Sequence, residues 1–190
     1  MAAHKYYIIN KPYNVLSQFT DDSGKQTLSS FYKFPKDVYP IGRLDYDSEG
    51  LLILTNDKKL NSYLLNPYNK HEREYYVQVE GIPTKESLEQ FEKGIIIQYY
   101  KTLPAKAKII EEPKLWERST PIRFRQNIPT TWLSIILYEG KNRQVRKMTA
   151  AIGHPTLRLV RVRIKNILLG NLQPGEVREL REEEVKRLLM

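Results

Sequence analysis

Short apolar runs and alternating segments dominate the hydrophobic pattern of the chain. The continuous run LLILT (51–55) and the alternating segment REYYVQV (73–79) are rich in the residues that favour strands. Helical spacing of apolar residues is confined to a few segments, which are 58–66, 84–95, 142–153 and 181–190. Because strands and helices do not alternate regularly, the pattern predicts an α+β fold with a largely antiparallel sheet.

The segment NRQVRKMTAAIG (142–153) separates into an apolar face and a basic face. A helix capped by Asn142 and ended by Gly153 places towards the core the side chains of Val145, Met148 and Ile152. The other side carries Arg143, Arg146 and Lys147, and Lys141 stands just before the helix. Such a face is often merely solvated. Cations at this spacing repel one another, however, and a phosphate or carboxylate relieves that repulsion.

The charge balance of the chain indicates a class of binding partner. Its 190 residues include 31 lysines and arginines against 22 acidic residues, which gives a formal net charge of +9, and there are 13 tyrosines. This combination favours a polyanionic partner, nucleic acid being the commonest, over a merely basic surface. In the segment LRLVRVRI, Arg161 and Arg163 share one strand face and are expected to extend the positive surface. The alternative is an edge strand protected from aggregation by its charges.

Several classes of protein are disfavoured by residues that the chain lacks. It contains no cysteine, which excludes disulfides, thiolate catalysis and cysteine zinc sites, and its three histidines are scattered. No apolar run reaches the length of a membrane span, and the N-terminus lacks a secretory signal. We therefore expect a cytoplasmic protein without a membrane partner.

The segment GRLDYDSEGLLILTND (42–57) contains the densest acidic cluster. Its centre resembles the opening of a calcium loop, but the twelfth position is Asn56 where a bidentate glutamate is required. Pro40 and Gly42 also oppose a preceding helix. The remaining interpretation centres on Asp45, which Arg43 could hold ionised as a nucleophile or base requires. A structural ion pair between the two is the simpler alternative.

Four segments together resemble a known family, the RNA pseudouridine synthases of the RsuA branch. They are NKPYNVLSQFTD, GRLDYDSEGLLILTND, REYYVQV and EGKNRQVRKMTAAIGHPTLRLVRVRI, they follow the order of the family, and they span nearly the whole chain. Two positions depart from the usual motifs. Asn14 stands where glycine is common, and it tolerates the positive φ that the turn requires. Arg73 stands where many relatives have lysine.

The resemblance implies a fold, an activity and a substrate. The fold would be the pseudouridine synthase fold, a largely antiparallel bent sheet flanked by helices in two tightly joined halves. Residues 1–190 would form a single catalytic domain without an N-terminal accessory RNA-binding domain. The protein would act as a monomer, isomerising a specific uridine of ribosomal RNA, and of 23S ribosomal RNA in particular, with no metal or other cofactor. A non-catalytic RNA-binding or ribosome-assembly module using the same basic surface is the alternative.

The resemblance also assigns roles to individual residues. Asp45 would be the catalytic aspartate, Tyr75 would stack on the target base, and Arg146 would pair with the aspartate. Arg43 would help to displace the uridine from its stack, as chemistry on a base requires, and Leu159 would pack beneath the uracil. The cations expected to contact RNA, besides Arg43, are Lys11, Lys141, Arg143, Lys147, Arg161 and Arg163. Whether the carboxylate attacks C1′, attacks C6 or abstracts a ribose proton stays open.

Overall fold

The computed structural model describes residues 4–122 and 127–189, which belong to two compact units. The terminal unit comprises Met1–Asn69 and Arg161–Met190, and the central unit comprises Lys70–Val160. In chain order the strands are β1 (Tyr6–Lys11), β2 (Tyr39–Pro40), β3 (Glu49–Thr55), β4 (Arg73–Glu80), β5 (Ile96–Ile97), β6 (Tyr100–Lys101), β7 (Lys106–Ile110), β8 (Thr130–Leu137), β9 (Thr156–Ile164), β10 (Ile167–Leu168) and β11 (Val177–Glu179). The α-helices are α1 (Lys58–Leu65), α2 (Lys85–Lys93), α3 (Gln144–Ala151) and α4 (Glu182–Leu189), and 3₁₀ turns lie at Leu28–Ser30 and Pro67–Asn69.

The terminal unit is organised around β1, which pairs antiparallel with β3 on one side and β11 on the other. Residue Ile9 stands opposite Leu52 in β3 and Val177 in β11, and β2 extends the β3 side. The apolar side chains of these strands pack with those of the segment after β1. The buried cluster consists of Tyr7, Ile9, Val15, Leu28, Val38, Leu52 and Leu54.

The central unit contains a three-strand antiparallel arrangement with β8 between β4 and β7. Ile135 of β8 stands opposite Tyr75 of β4 and Ala107 of β7. Helix α2 follows β4 and begins at Thr84, whose side chain accepts a hydrogen bond from the Ser87 amide, as predicted for a cap. Strand β9 begins in the central unit and continues into the terminal unit after Val160.

The structure confirms the predicted α+β class. The seven strand pairs with a described register are antiparallel, and the two segments read as strands from their apolar patterns lie in β3 and β4. The four segments with helical spacing contain α1 to α4. None of the helices in the described part of the chain is long and apolar enough to cross a membrane.

The predicted N-terminal cap of α3 is wrong in its position, by one residue, and in the capping hydrogen bond expected of it. The residue before the helix is Arg143, in the left-handed region at φ 51°, and its side chain makes no capping hydrogen bond. Gln144 acts locally instead: its Oε1 accepts from the Lys141 amide at 3.0 Å, and its Nε2 donates to Glu139 Oε1 at 2.7 Å. Glu139 also accepts from the Leu103 amide at 2.9 Å. A contact between distant segments therefore fixes the start of α3.

Candidate active site

The loop that carries Asp45 is held on both sides by hydrogen bonds to its backbone within the terminal unit. The Leu44 amide donates to Ser17 Oγ at 3.1 Å, and that hydroxyl donates back to the Leu44 carbonyl at 2.8 Å. The Asn14 amide donates to the Tyr46 carbonyl at 2.9 Å. Because the residues before and after Asp45 are both anchored, its backbone position is fixed before any substrate binds.

A tight turn follows the aspartate and leads into β3. The Ser48 amide donates to the Asp45 carbonyl at 3.0 Å, which closes a four-residue turn. Ser48 and Glu49 are buried, and β3 starts at Glu49, so a strand follows the acidic cluster where a calcium loop requires a helix. Within the described residues, no group of three or more His, Cys, Asp or Glu side chains is arranged to hold a metal ion.

The turn after β1 has the backbone that its sequence predicts. Asn14 adopts φ 58°, in the left-handed region that glycine usually occupies and that asparagine tolerates. In this conformation its backbone amide donates a hydrogen bond to the Tyr46 carbonyl. The prediction that asparagine can replace the usual glycine here is confirmed.

Lys11 lies inside the terminal unit, and this corrects its predicted contact with RNA. Its side chain is fully buried, and its Nζ donates to the Pro12 carbonyl and to the Val15 carbonyl, each at 2.8 Å. A lysine without solvent exposure cannot offer its ammonium to a phosphate in this conformation. The side chain instead closes the turn that holds the Asp45 loop.

The electrostatics around Lys11 place it among the acidic residues of the loop. Burial lowers the pKa of the Lys11 ammonium to about 7. The negative charges of Glu49, Asp47 and Asp45 raise this pKa and so offset part of the lowering. Arg161 adds to the lowering of this pKa. Three carboxylates and two cations thus interact in one part of the terminal unit, where Asp45 and Asp47 are half-buried and Glu49 is buried.

The lowered pKa of Lys11 leads to a prediction about stability. The folded protein releases a proton near pH 7, whereas the unfolded chain keeps it up to the ordinary value of 10.5. Because the unfolded state then binds more protons, the free energy of unfolding should rise with pH above 7, by up to about 1.4 kcal/mol per pH unit. Urea unfolding between pH 7 and 9 measures this slope.

Two matched variants show whether Lys11 causes this pH dependence of the free energy of unfolding. Lys11→Met should remove most of the pH dependence, because methionine has a similar length and no titrating group. Lys58→Met, at an exposed position of α1, should retain the wild-type slope. Equal slopes for wild type and Lys11→Met would show that Lys11 does not titrate in this range.

Gly50 is required by a close backbone approach. It stands opposite Lys11 in the β1–β3 pair and adopts φ 106°. A Cβ at this position would lie 2.3 Å from the Arg161 carbonyl oxygen and 2.8 Å from its amide nitrogen. Arg161 Nε in turn donates to the Leu51 carbonyl at 2.8 Å. The glycine therefore lets Arg161 pack directly on the start of β3.

This contact also corrects the predicted basic strand face. Arg161 is buried, with 4% of its surface exposed, whereas Arg163 is half-buried and donates to the Lys165 carbonyl at 2.7 Å. Strand periodicity places both side chains on one side but does not reveal that Arg161 is covered. The prediction that the pair extends an exposed positive surface is wrong for Arg161.

The predicted site residues of the central unit lie in β4, α3 and β9. Tyr75 is buried on the β4 face that also carries Val77 and Val79, and Tyr76 is half-buried on the other face. One tyrosine thus faces the interior, as the alternation predicts. Leu159 is also buried, with 5% of its surface exposed. Their roles in the reaction remain predictions.

The basic residues at the start of α3 differ in exposure. Lys141 and Arg143 are exposed, whereas Arg146 and Lys147 are half-buried. The Lys147 Nζ donates to Gln98 Oε1 at 3.1 Å, and the Lys141 Nζ lies 5.8 Å from the ring centroid of Tyr100. These positions leave Lys141 and Arg143 accessible to a phosphate and distinguish them from Arg146.

Sequence reasoning missed two residues that organise the described parts of the site. Ser17 anchors Leu44, and Glu139 anchors the start of α3 through Gln144. Neither residue stands out in the sequence. Ser17 bonds to a residue that is distant along the chain, and the role of Glu139 depends on its burial. Gly50 had a signal, since it follows the acidic cluster, but the signal suggested calcium.

Comparison with known proteins decides the family. The RNA pseudouridylate synthase family matches residues 5–151, which include the Asp45 loop, β4 and α3. The chain belongs to the RNA pseudouridylate synthase family. The resemblance drawn from the four sequence segments is confirmed.

Individual relatives support the same assignment. "Ribosomal large subunit pseudouridine synthase E" of Vibrio parahaemolyticus is 54% identical over 176 residues, covering 93% of this chain and 74% of that protein. "Ribosomal large subunit pseudouridine synthase B" of Bacillus subtilis is 41% identical, covering 96% of this chain and 70% of that protein. A solved structure titled "Crystal structure of pseudouridylate synthase" superposes with a TM-score of 0.82 at 25% identity, covering 99% of this chain and 75% of that one. The pseudouridine synthase fold expected from the resemblance is confirmed.

Proposed function

We propose that this RNA pseudouridine synthase modifies a uridine of large-subunit ribosomal RNA, with Asp45 as its catalytic group. The observation that carries the proposal is the anchored Asp45 loop, which lies within the residues matched by the family. Relatives that are 48–54% identical are named for modification of the large ribosomal subunit, which supports this substrate. The net charge of +9 suits a ribosomal RNA partner.

The chemistry needs one well-placed carboxylate. The N1–C1′ bond of the uridine breaks, the base rotates, and C5 forms a new bond to C1′. The hydrogen on C5 leaves as a proton, and N1 ends protonated. A carboxylate can assist by attacking C1′, by attacking C6 or by removing a ribose proton. Each route requires a carboxylate held in place, and the anchors at Leu44 and Tyr46 support this by fixing the backbone that carries Asp45.

Release of tritium tests the proposed activity and substrate. RNA transcribed with C5-tritiated uridine loses its label as the new bond forms, and 23S and 16S transcripts are compared in the presence and absence of EDTA. We expect release from the 23S transcript only, unaffected by EDTA. A non-catalytic RNA-binding module would bind without release, and loss of release with EDTA would indicate a metal-dependent reaction instead.

Three further expectations belong to the same proposal. We propose that the described residues form one catalytic domain, that the protein acts as a monomer and that it works in the cytoplasm, where ribosomal RNA is modified. Arg43, Lys141, Arg143 and Lys147 are the proposed contacts to phosphate. Arg43, Lys141 and Arg143 are exposed in the structure, as such contacts require.

Arg146 is proposed to act in the reaction itself rather than in binding. A guanidinium orients a carboxylate through two parallel hydrogen bonds, whereas lysine offers only a point charge. Arg146→Lys should therefore lower the single-turnover rate about 100-fold, which corresponds to about 2.7 kcal/mol of transition-state stabilisation. RNA affinity, measured by filter binding, should change much less.

Arg143→Lys is the matched control for this prediction. Arg143 stands three residues away and is exposed, so lysine can replace it as a phosphate contact. We expect its turnover to stay within a few-fold of wild type. Mild and equal losses at both positions would assign Arg146 to the solvated basic face.

A further inference from the structure

A large groove in the terminal unit lies beside the Asp45 loop. It has a volume of about 980 Å³, at the upper end of the range of ligand pockets. Its walls come from residues 17–20 after the first turn, from residues 29–36 around the first 3₁₀ turn, and from residues 39–43 of β2 and the following loop. Of these wall residues, only Arg43 and Ser17 contribute to the proposed site at Asp45, Ser17 through its hydroxyl, which anchors Leu44.

Four aromatic side chains line this groove, namely Phe19, Tyr32, Phe34 and Tyr39. Their rings form a connected set: Tyr32 and Phe34 are 4.9 Å apart between centroids, Phe34 and Phe19 5.5 Å, and Phe19 and Tyr39 6.3 Å. Tyr39 is 61% exposed and Tyr32 is 40% exposed. Phe19 and Phe34 pack against the buried apolar cluster, whereas the rings of Tyr32 and Tyr39 are open to solvent.

The charges of the groove are of one sign. Lys33, Lys36 and Arg43 line it, and the residues described as lining it include no aspartate or glutamate. Aromatic faces combined with unopposed cations are the features by which proteins bind single-stranded nucleic acid, since bases stack on the rings and phosphates meet the cations. A purely apolar ligand would leave the three cations without a counter-charge.

The groove is continuous with the proposed catalytic loop through two residues. Gly42 and Arg43 belong to its wall, and Asp45 follows two residues after Arg43. A strand of RNA whose uridine reaches Asp45 therefore has its neighbouring nucleotides within reach of the groove, because successive nucleotides are covalently linked.

We propose that this groove binds an unpaired nucleotide of the RNA that flanks the target uridine, with its base on Tyr39 and its phosphate near Lys36. The inference rests on the proposed RNA substrate and adds a subsite to it. It commits to single-stranded RNA, because the cations supply charge complementarity that neither an apolar ligand nor a second copy of this basic chain would match.

The first test compares variants in the wall with matched variants outside it. Tyr39→Ala should weaken binding of the 23S transcript at least about fivefold through loss of stacking, and Tyr39→Phe should retain wild-type affinity because the ring remains. Lys36→Ala should reduce the salt dependence of binding by about one unit of slope. For the two alanine variants, KM should rise by a larger factor than kcat falls.

The controls are exposed residues of the same unit that do not line the groove. Tyr68, 89% exposed in the second 3₁₀ turn, and Lys59 in α1 provide a ring and a cation of the same kinds. Tyr68→Ala and Lys59→Ala should leave affinity and salt slope unchanged. Thermal unfolding of Tyr39→Ala separates lost binding from lost folding, and Lys36→Ala tests the groove independently of it.

The second test does not depend on turnover. Backbone amide resonances of the wild-type protein are followed while a single-stranded pentauridylate is added, and those of residues 17–20 and 29–43 should shift while those of 67–69 should not. Shifts of these amides without any release of tritium would support RNA binding in the groove and contradict the proposed activity. Unchanged amides together with wild-type affinity for Tyr39→Ala and Lys36→Ala would overturn the groove. Shifts that depend on protein concentration without RNA would assign it to a second copy of the chain.

Discussion

Replacing Asp45 by asparagine should abolish tritium release while leaving RNA affinity within a few-fold of wild type. The change removes one negative charge and one basic oxygen but keeps the size of the side chain. An amide can neither attack carbon nor accept the ribose proton as a carboxylate does, so each of the three possible routes is closed. Affinity should hold because affinity for RNA is dominated by cations that meet phosphates. Single-turnover assays and filter binding measure the two quantities separately.

Asp47→Asn is the control within the same loop. Asp47 is half-buried like Asp45, and it too influences the pKa of Lys11. If loss of any carboxylate near Lys11 disturbed the loop, both variants would fail alike. We expect Asp47→Asn to retain most of its turnover. Near-normal turnover by Asp45→Asn would remove Asp45 from the reaction.

Gly50→Ala should destabilise the fold by about 3 kcal/mol or more. The added methyl would lie 2.3 Å from the Arg161 carbonyl oxygen, which is backbone and cannot rotate away. The positive φ of 106° adds strain of about 1–3 kcal/mol for a residue with a Cβ. Overpacking costs a further amount of about 1–3 kcal/mol. Urea unfolding at one pH measures the loss.

Gly24→Ala isolates the part of this loss that comes from the backbone angle. Gly24 has a positive φ of 78°, and a Cβ there would meet nothing within 4 Å. It should therefore cost about 1–2 kcal/mol from the angle alone. If the two variants were destabilised equally, the close approach of Arg161 to Gly50 would not be the reason for glycine at that position.

The sequence predicted those elements that depend on local pattern. The run 51–55 lies in β3, and the alternation of residues 73–79 in β4 places Tyr75 inside. Both signals arise because side chains of a strand alternate between faces, which any window of the chain displays. The cap of α3 was predicted wrongly because the helix begins one residue later, with Arg143 rather than Asn142 before its first turn. Glu139 and Gln144, which do fix the helix start, interact only after the chain has folded.

The local sequence pattern did not reveal which charged side chains of the site are buried. Lys11 and Arg161 were placed on an RNA surface because cations are usually exposed. In the structure each donates to backbone carbonyls inside the terminal unit, Arg161 to one that lies 110 residues away along the chain. The groove was missed for a related reason. Its aromatic residues have no fixed spacing in the sequence and come together only through the packing of three separate segments.

The central claim is that Asp45 converts uridine to pseudouridine, and nucleoside analysis of the RNA product tests it most directly. The 23S transcript is incubated with wild type, Asp45→Asn or Asp47→Asn, digested to nucleosides and separated by chromatography. We expect one pseudouridine for each tritium released by wild type and by Asp47→Asn, and none from Asp45→Asn. Pseudouridine formed by Asp45→Asn at the wild-type rate, or none formed by wild type, would contradict it.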